Sequence, residues 1–298
     1  MANKDTFSSY HPLVNFLYFG FVLAFAMTIT HPACLALSML CAFVYSVYLK
    51  GRKAVRFALL YMLPMMLITA LLNPAFNHQG ATILTYLPDG NPLTLESVLY
   101  GAAAAVMLIT VITWFSCFNA VMTSDKFVYL FGRVIPSLSL ILAMALRFVP
   151  RFKERAKVIS NAQKCVGRDV ASGNLSQKMR RGVKILSIMT TWALENSIET
   201  ADSMKNRGYG LPGRTAFSIF RFGWRDAYAL AYILACSSVI LAGATMGACH
   251  FRYFPTVKGA WAGAPTIAVF AAYMALGSYP LIISLKEDLV WTSIVSKT

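Results

Sequence analysis

Long apolar stretches without any charged residue constrain this chain more than any other feature. Six of them occur, at Phe16–Thr30, Ala33–Leu49, Phe57–Leu72, Tyr100–Met122, Tyr228–Met246 and Ala264–Leu285. A helix needs about 20 apolar residues to cross the hydrocarbon core of a bilayer, and the shorter stretches reach that length by including apolar neighbours. Only 13% of the residues are charged, which is about half the share found in soluble domains. We therefore predict an all-α polytopic membrane protein with about six transmembrane helices.

The distribution of basic residues predicts which side of the membrane each loop faces. The loop after the second stretch contains Lys50, Arg52, Lys53 and Arg56, whereas the loop Asn73–Ser97 contains no Lys or Arg. Basic loops are usually cytoplasmic, so we expect both termini on the cytoplasmic side of the cell membrane and Asn73–Ser97 outside. The first stretch lacks the basic leader of a secretory signal, and we interpret it as a retained span.

Most of the positive charge lies between the fourth and fifth apolar stretches. Arg147–Arg225 contains ten Arg and six Lys against five acidic residues, a net charge of +11 out of +15 for the whole chain. Apolar residues are interleaved with the basic ones, which favours a cytoplasmic membrane face or an acidic protein partner over nucleic acid. Phe127–Leu146 would place this segment outside if it crossed the membrane. We therefore expect Pro136–Leu146 to form a helix in the cytoplasmic interface.

The basic segment is predicted to contain two amphipathic helices that precede the last two spans. The first covers Arg147–Gly167, with Pro150 near its start. The second runs from about Leu175 to Arg207, with apolar residues at three- and four-residue steps and Gly208 placed for a left-handed cap. Between them, 170–174 is predicted to be a turn. The predicted organisation is a four-span part (1–126), a cytoplasmic or interfacial coupling-helix region (127–225) and a two-span hairpin (226–298).

The residue types that support enzymatic chemistry are scattered along the chain. The six Cys and four His show no metal-ligand spacing, and neither a phosphate-binding Gly-x-x-x-x-Gly-Lys loop nor a Gly-x-Ser-x-Gly elbow occurs. We expect no catalytic residues, no metal and no cofactor. A stand-alone secondary transporter or channel is the remaining alternative. Such proteins usually place ionisable residues inside their spans, and the six stretches contain no Asp, Glu, Lys or Arg.

Several motifs resemble the T subunits of energy-coupling factor (ECF) transporters, the EcfT or CbiQ-like family. They are Ala145–Pro150, Asn161–Lys164, Ser172–Asn174, Glu199–Tyr209, Asn73–Phe76 and Thr94–Glu96. The resemblance implies the transmembrane coupling component of an ABC-type importer for a vitamin or a metal such as cobalt. It implies two cytoplasmic ABC ATPases of the EcfA type as partners, with ATP hydrolysis in those subunits. It also implies a membrane S subunit that binds the substrate, and no nucleic acid.

In that family each of two coupling helices ends in an Ala-Arg-Gly-type motif, whose Arg docks into a groove on one ATPase. Asn206-Arg207-Gly208 matches the second motif, with Asn in the place of Ala, and makes Arg207 the expected docking residue. The first motif falls on Cys165-Val166-Gly167, where Val166 stands in the place of Arg. Arg168 follows two residues later and is the alternative docking residue at this end.

The predicted outer loop begins with Asn73-Pro74-Ala75-Phe76. The resemblance implies that Asn73, Pro74 and Phe76 contact the S subunit. Because Asn-Pro also commonly starts a turn, an ordinary outer turn is the alternative. The small residues Gly101–Ala105 in the fourth span favour close helix packing, either against another span of this chain or against the S subunit.

Overall fold

The computed structural model of the chain describes residues 5–86, 91–132, 135–169, 172, 174–211, 220–259 and 263–295. A short 3₁₀-helix, Thr6–Ser9, precedes the first α-helix. The α-helices are α1 (Pro12–Thr28), α2 (Pro32–Lys50), α3 (Arg52–Phe57), α4 (Leu63–Phe76), α5 (Leu95–Val121), α6 (Ser124–Gly132), α7 (Pro136–Cys165), α8 (Leu175–Asn206), α9 (Trp224–Thr245) and α10 (Ala264–Val295). Two small antiparallel pairs add β1 (Ile83–Tyr86) with β2 (Pro92–Thr94), and β3 (Phe251–Arg252) with β4 (Lys258–Gly259). The predicted turn at 170–174 lies mostly outside the described residues.

The predicted class, an all-α polytopic membrane protein, is confirmed. Within the described residues, five helical stretches are long and apolar enough to cross a membrane, namely Pro32–Lys50, Arg52–Phe76, Leu95–Val121, Trp224–Thr245 and Ala264–Val290. The second of these joins α3 and α4 through a π-helical turn at Ala58–Met62. The apolar helix α1 has 17 residues, which is the lower limit for a span. Among the described residues, neither α6 nor α7 combines the length and the apolar composition of a membrane span. This agrees with the expectation that Phe127–Leu146 does not cross the membrane.

The described chain divides into two compact units. One comprises Met1–Thr123 with Phe220–Thr298, and the other is Ser124–Ile219. The first unit has an aromatic core, in which the buried Trp114 ring lies 6.2 Å from Tyr18 and 6.3 Å from Phe19. The Trp114 Nε1 group donates a hydrogen bond of 3.1 Å to Ser38 Oγ, because a buried indole N–H needs a partner where water is absent. The placement of 1–126, 127–225 and 226–298 relative to the membrane stays a prediction.

A buried carboxylate fastens the N-terminal segment to this first unit. Asp5 is only 8% exposed. Its carboxylate accepts hydrogen bonds from Tyr45 Oη on α2 at 2.8 Å and from Ser284 Oγ on α10 at 2.7 Å. Hydrogen bonds to a charged group are stronger than neutral ones, so the three elements are held together at one point.

The prediction of two separate helices, Pro136–Leu146 and Arg147–Gly167, was wrong. A single 30-residue helix, α7, includes both the predicted interfacial stretch and the first amphipathic helix, with Pro150 inside it. Proline removes one backbone hydrogen bond and crowds the preceding turn, but the turns on either side preserve the helix. Phe148 and Phe152 flank the proline one helical turn apart, with ring centroids 6.1 Å apart.

The start predicted for the outer loop was also wrong. Asn73-Pro74 lies in the last turn of α4, which continues to Phe76. The Asn77 N–H donates to the Asn73 carbonyl at 2.8 Å and ends the helix there. Close packing favours the helix, because a Cβ on Gly101 of α5 would lie 2.7 Å from the Ala70 carbonyl oxygen. The partner of Gly101 is therefore another span of this chain.

Candidate docking sites at two helix ends

The C-terminus of α8 has a complete Schellman cap. Arg207 is the cap residue, with φ −82° and ψ 8°, and Gly208 follows with φ +76°. The Gly208 N–H donates to the Lys205 carbonyl at 3.0 Å, and the Tyr209 N–H donates to the Met204 carbonyl at 3.0 Å. These two bonds satisfy carbonyls that the helix leaves without partners. The left-handed cap predicted at Gly208 is thus confirmed.

The C-terminus of α7 repeats this geometry. Val166 is the cap residue, with φ −91° and ψ 17°, and Gly167 follows with φ +75°. The Gly167 N–H donates to the Lys164 carbonyl at 3.0 Å, and the Arg168 N–H donates to the Gln163 carbonyl at 2.9 Å. Val166 therefore occupies the backbone position that Arg207 has at the other end, while Arg168 corresponds to Tyr209.

The side chains at both helix ends are exposed to solvent. Asn206, Arg207, Val166 and Arg168 are all exposed, and Val166 retains 69% of its accessible surface. Among the described residues, neither Arg207 nor Arg168 has an acidic group within 4.0 Å. A guanidinium offers five N–H donors in a planar fork that fits a carboxylate. Each end thus presents an arginine that is available to an acidic partner.

The loop after α7 is held in place by a residue that the sequence did not single out. Arg181 of α8 donates from Nη1 to the Asp169 carbonyl, to the Ser172 carbonyl at 2.7 Å and to Ser172 Oγ at 3.1 Å. The Lys164 ammonium lies 3.6 Å from the Asp169 carboxylate. These contacts hold Asp169 and Ser172, two of the described residues that follow Arg168. Arg181 is one of ten arginines in the basic segment, and its spacing does not distinguish it from the others.

The two ends are far apart along α8. This helix has 32 residues and is therefore about 48 Å long. Arg181, near its beginning, contacts the loop that follows Arg168, whereas Arg207 caps its other end. Near its middle, α8 packs on α7 through Trp192, whose ring lies 5.5 Å from Phe152 and 5.3 Å from the Arg155 guanidinium carbon.

The three residues expected to contact an S subunit have different surroundings. Phe76 is 81% exposed, whereas Pro74 is buried. A Cβ on Gly101 of α5 would lie 3.1 Å from both Asn73 Cβ and Pro74 Cδ. Asn73 and Pro74 therefore face α5, and of the three only Phe76 projects from the surface.

Comparison with protein families supplies the decisive observation. The CbiQ model, described as a cobalt transport protein, matches residues 8–217. The chain belongs to the CbiQ family. The matched range contains α1–α8 and thus both helix ends and the Asn73–Phe76 motif, whereas α9 and α10 lie beyond it. Together with the candidate spans, membership identifies a multi-pass membrane protein of a transport family.

Relatives of this CbiQ-family chain include proteins named energy-coupling factor transporter transmembrane protein EcfT. The protein from Lacticaseibacillus paracasei is 34% identical over 108 residues, covering 36% of this chain and 41% of the relative. The one from Bacillus selenitireducens is 32% identical over 111 residues, covering 37% and 41%. EcfT 1 from Listeria monocytogenes is 26% identical over 208 residues, covering 65% and 72%. The matches to the first two span about two fifths of those relatives' length.

Proposed function

We propose that this chain is the transmembrane coupling (T) subunit of an ECF-type ABC importer. It transmits the ATP-driven motion of two cytoplasmic ATPases to a membrane S subunit that binds a vitamin or metal micronutrient. The observation that supports this proposal best is the pair of equivalent helix ends, each with an exposed arginine beside a Schellman cap, at opposite ends of α8. Family membership and the names of the EcfT relatives point the same way.

The geometry of α8 suits two separate docking partners. Sites separated by a helix of about 48 Å are too far apart for one small acidic pocket, so each end receives its own ATPase. Arg207, flanked by Asn206 and Gly208, docks at one end. At the other end Arg168 supplies the guanidinium, while Val166 and Gly167 supply an apolar contact and the turn. Movement of either ATPase is transmitted along α8, because a helix resists compression along its axis.

The remaining parts of the chain have supporting roles in this proposal. Both termini and the coupling-helix region, 127–225, are cytoplasmic, and the spans of 1–126 and 226–298 anchor that region in the membrane. ATP hydrolysis takes place in the partner subunits. Phe76 contacts the S subunit directly, while Asn73 and Pro74 set its position by packing against α5. The substrate is selected by the S subunit.

Substitution of Arg207 tests the proposal. Loss of one member of a buried interfacial ion pair costs about 2–5 kcal/mol, so Arg207→Ala should reduce co-purification of the ATPases and abolish ATP-dependent uptake while the chain still inserts. Lys184→Ala is the matched control, because it removes one positive charge from an exposed position of α8 that lies inside the helix, nine residues after its first residue. Undiminished recovery of both ATPases with Arg207→Ala would contradict the proposal. Uptake in membranes without any ATPase would point to a stand-alone transporter.

A further inference from the structure

An open groove lies within the second unit, between the first half of α7 and the last part of α8. Its volume is about 590 Å³, and its lining includes Arg147 and Arg151 from α7 together with Glu199 and Arg207 from α8. This volume is within the range of about 300–1,000 Å³ that is typical of small-molecule sites. Apart from Arg207, the side chains named here have no role in the docking proposal.

The groove is cationic. Arg147 and Arg151 are one helical turn apart on α7, so their side chains emerge on the same face. Neither has an acidic group within 4.0 Å among the described residues. Three arginines against the single carboxylate of Glu199 leave a net charge of +2 on the lining. Arginines are well suited to phosphate groups, because their N–H donors form paired hydrogen bonds with phosphate oxygens.

The same groove also has apolar side chains in its lining. Leu140, Met144 and Phe148 of α7 line it, and Met204 of α8 lines it from the opposite side. Along α7 the lining begins with Leu140 and Met144 and continues, within about three turns, with Arg147, Phe148 and Arg151. This order of apolar and then cationic groups matches the order of acyl chain and phosphate in a phospholipid. The apolar stretch of α7 is also the part predicted from sequence to lie in the membrane interface.

We propose that this groove binds an anionic phospholipid. The headgroup phosphate contacts Arg147 and Arg151, and the first part of an acyl chain packs on Leu140 and Met144. A free phosphate ion would leave the apolar side chains without a partner. Glu199 would also repel a doubly charged ion more strongly than the single charge of a phosphatidylglycerol. Basic pockets beside membrane-spanning helices are known sites for lipid headgroups.

Native mass spectrometry of the full chain in detergent, titrated with phosphatidylglycerol, tests the proposal without any ATPase. Each cationic side chain near an anionic lipid is worth about a fivefold gain in affinity. The double variant Arg147→Gln/Arg151→Gln should therefore bind the lipid about thirtyfold more weakly than the unmodified chain. The control Lys153→Gln/Lys157→Gln removes the same charge from exposed positions of α7 outside the groove, and should change binding less than threefold.

Three outcomes would overturn the proposal. Equal losses in the two double variants would indicate general electrostatic attraction rather than a site. Competition by soluble glycerol phosphate at the same concentration as the lipid would show that the acyl chain contributes nothing. Unchanged lipid binding together with reduced recovery of the ATPases would assign the groove to an acidic protein segment. The charge-conserving variant Arg147→Lys/Arg151→Lys should retain most of the binding, which separates a loss of charge from a loss of folding.

Discussion

Removal of the Arg181 side chain should loosen the C-terminal end of α7 without disrupting α8, the helix to which Arg181 belongs. The two N–H groups of Arg181 Nη1 donate to three acceptors after α7, the carbonyls of Asp169 and Ser172 and the Ser172 Oγ, so that one N–H is shared between two acceptors. Bonds from a charged donor are each worth about 1.5–3 kcal/mol when buried, but this loop is largely exposed, so about 1 kcal/mol for each is appropriate. The loop therefore loses about 2–3 kcal/mol in Arg181→Ala. This corresponds to a 30- to 150-fold increase in its open population.

Hydrogen exchange measured by mass spectrometry reports this opening directly. The amides of Gly167, Arg168 and Ser172 donate to backbone carbonyls, and their exchange should accelerate by the same factor. Arg180→Ala is the matched control, because Arg180 is exposed on the adjacent position. Exchange that is equally fast in the unmodified chain, in Arg181→Ala and in the control would refute the reasoning. In that case the Lys164–Asp169 ion pair and the Schellman cap would be sufficient to order the loop.

Two further substitutions test other parts of the chain. In an Arg168→Ala background, Val166→Arg should restore recovery of the ATPase bound at the end of α7, because the two cap residues have nearly the same φ and ψ; co-purification of each ATPase is the measurement. Asp5→Asn should lower the free energy of unfolding by about 2–4 kcal/mol, because it weakens two hydrogen bonds to a buried carboxylate. Unfolding in mixed detergent micelles measures that loss, and the exposed Asp125→Asn is its control.

Sequence patterns predicted the features that depend on local chemistry. The bounds of α8 differ by one residue from the expected Leu175–Arg207, because the apolar period and the capping glycine are both local signals. Five of the six uncharged stretches likewise coincide with the candidate spans of the described residues, and the first coincides with the shorter apolar helix α1, since length and composition decide whether a helix can cross a bilayer. The left-handed Gly208 follows from the same reasoning, because a helix that ends in a Schellman cap requires a residue that tolerates positive φ. For Gly167 the sequence predicted only the end of the helix.

The helix boundaries that were predicted wrongly are those at which tertiary packing outweighs the local sequence signal. Proline at positions 74 and 150 suggested helix boundaries, and in both cases the helix continues through it. The close approach of Gly101 to α4 favours the helical conformation around Pro74. The roles of Arg181, Arg147 and Arg151 were missed for another reason. Their roles depend on contacts with residues that are distant in the sequence, and neither the apolar period nor the spacing of residues predicts which distant residues meet.

The surface of α8 provides a further argument for an obligate assembly. None of its residues is buried within this chain. Some of its apolar residues, among them Ile185, Ile188 and Trp192, are half-buried, whereas others, among them Met179, Val183 and Leu186, are exposed. Burial of a large aliphatic side chain contributes about 1.5–3 kcal/mol to stability. The exposed side chains of Met179, Val183 and Leu186 would therefore contribute about 5–9 kcal/mol if they were buried, which is comparable to the stability of a whole domain. In the proposed function the membrane-embedded S subunit or the bilayer covers this stripe, and the helix that connects the two ATPases reaches its full stability only in the complex.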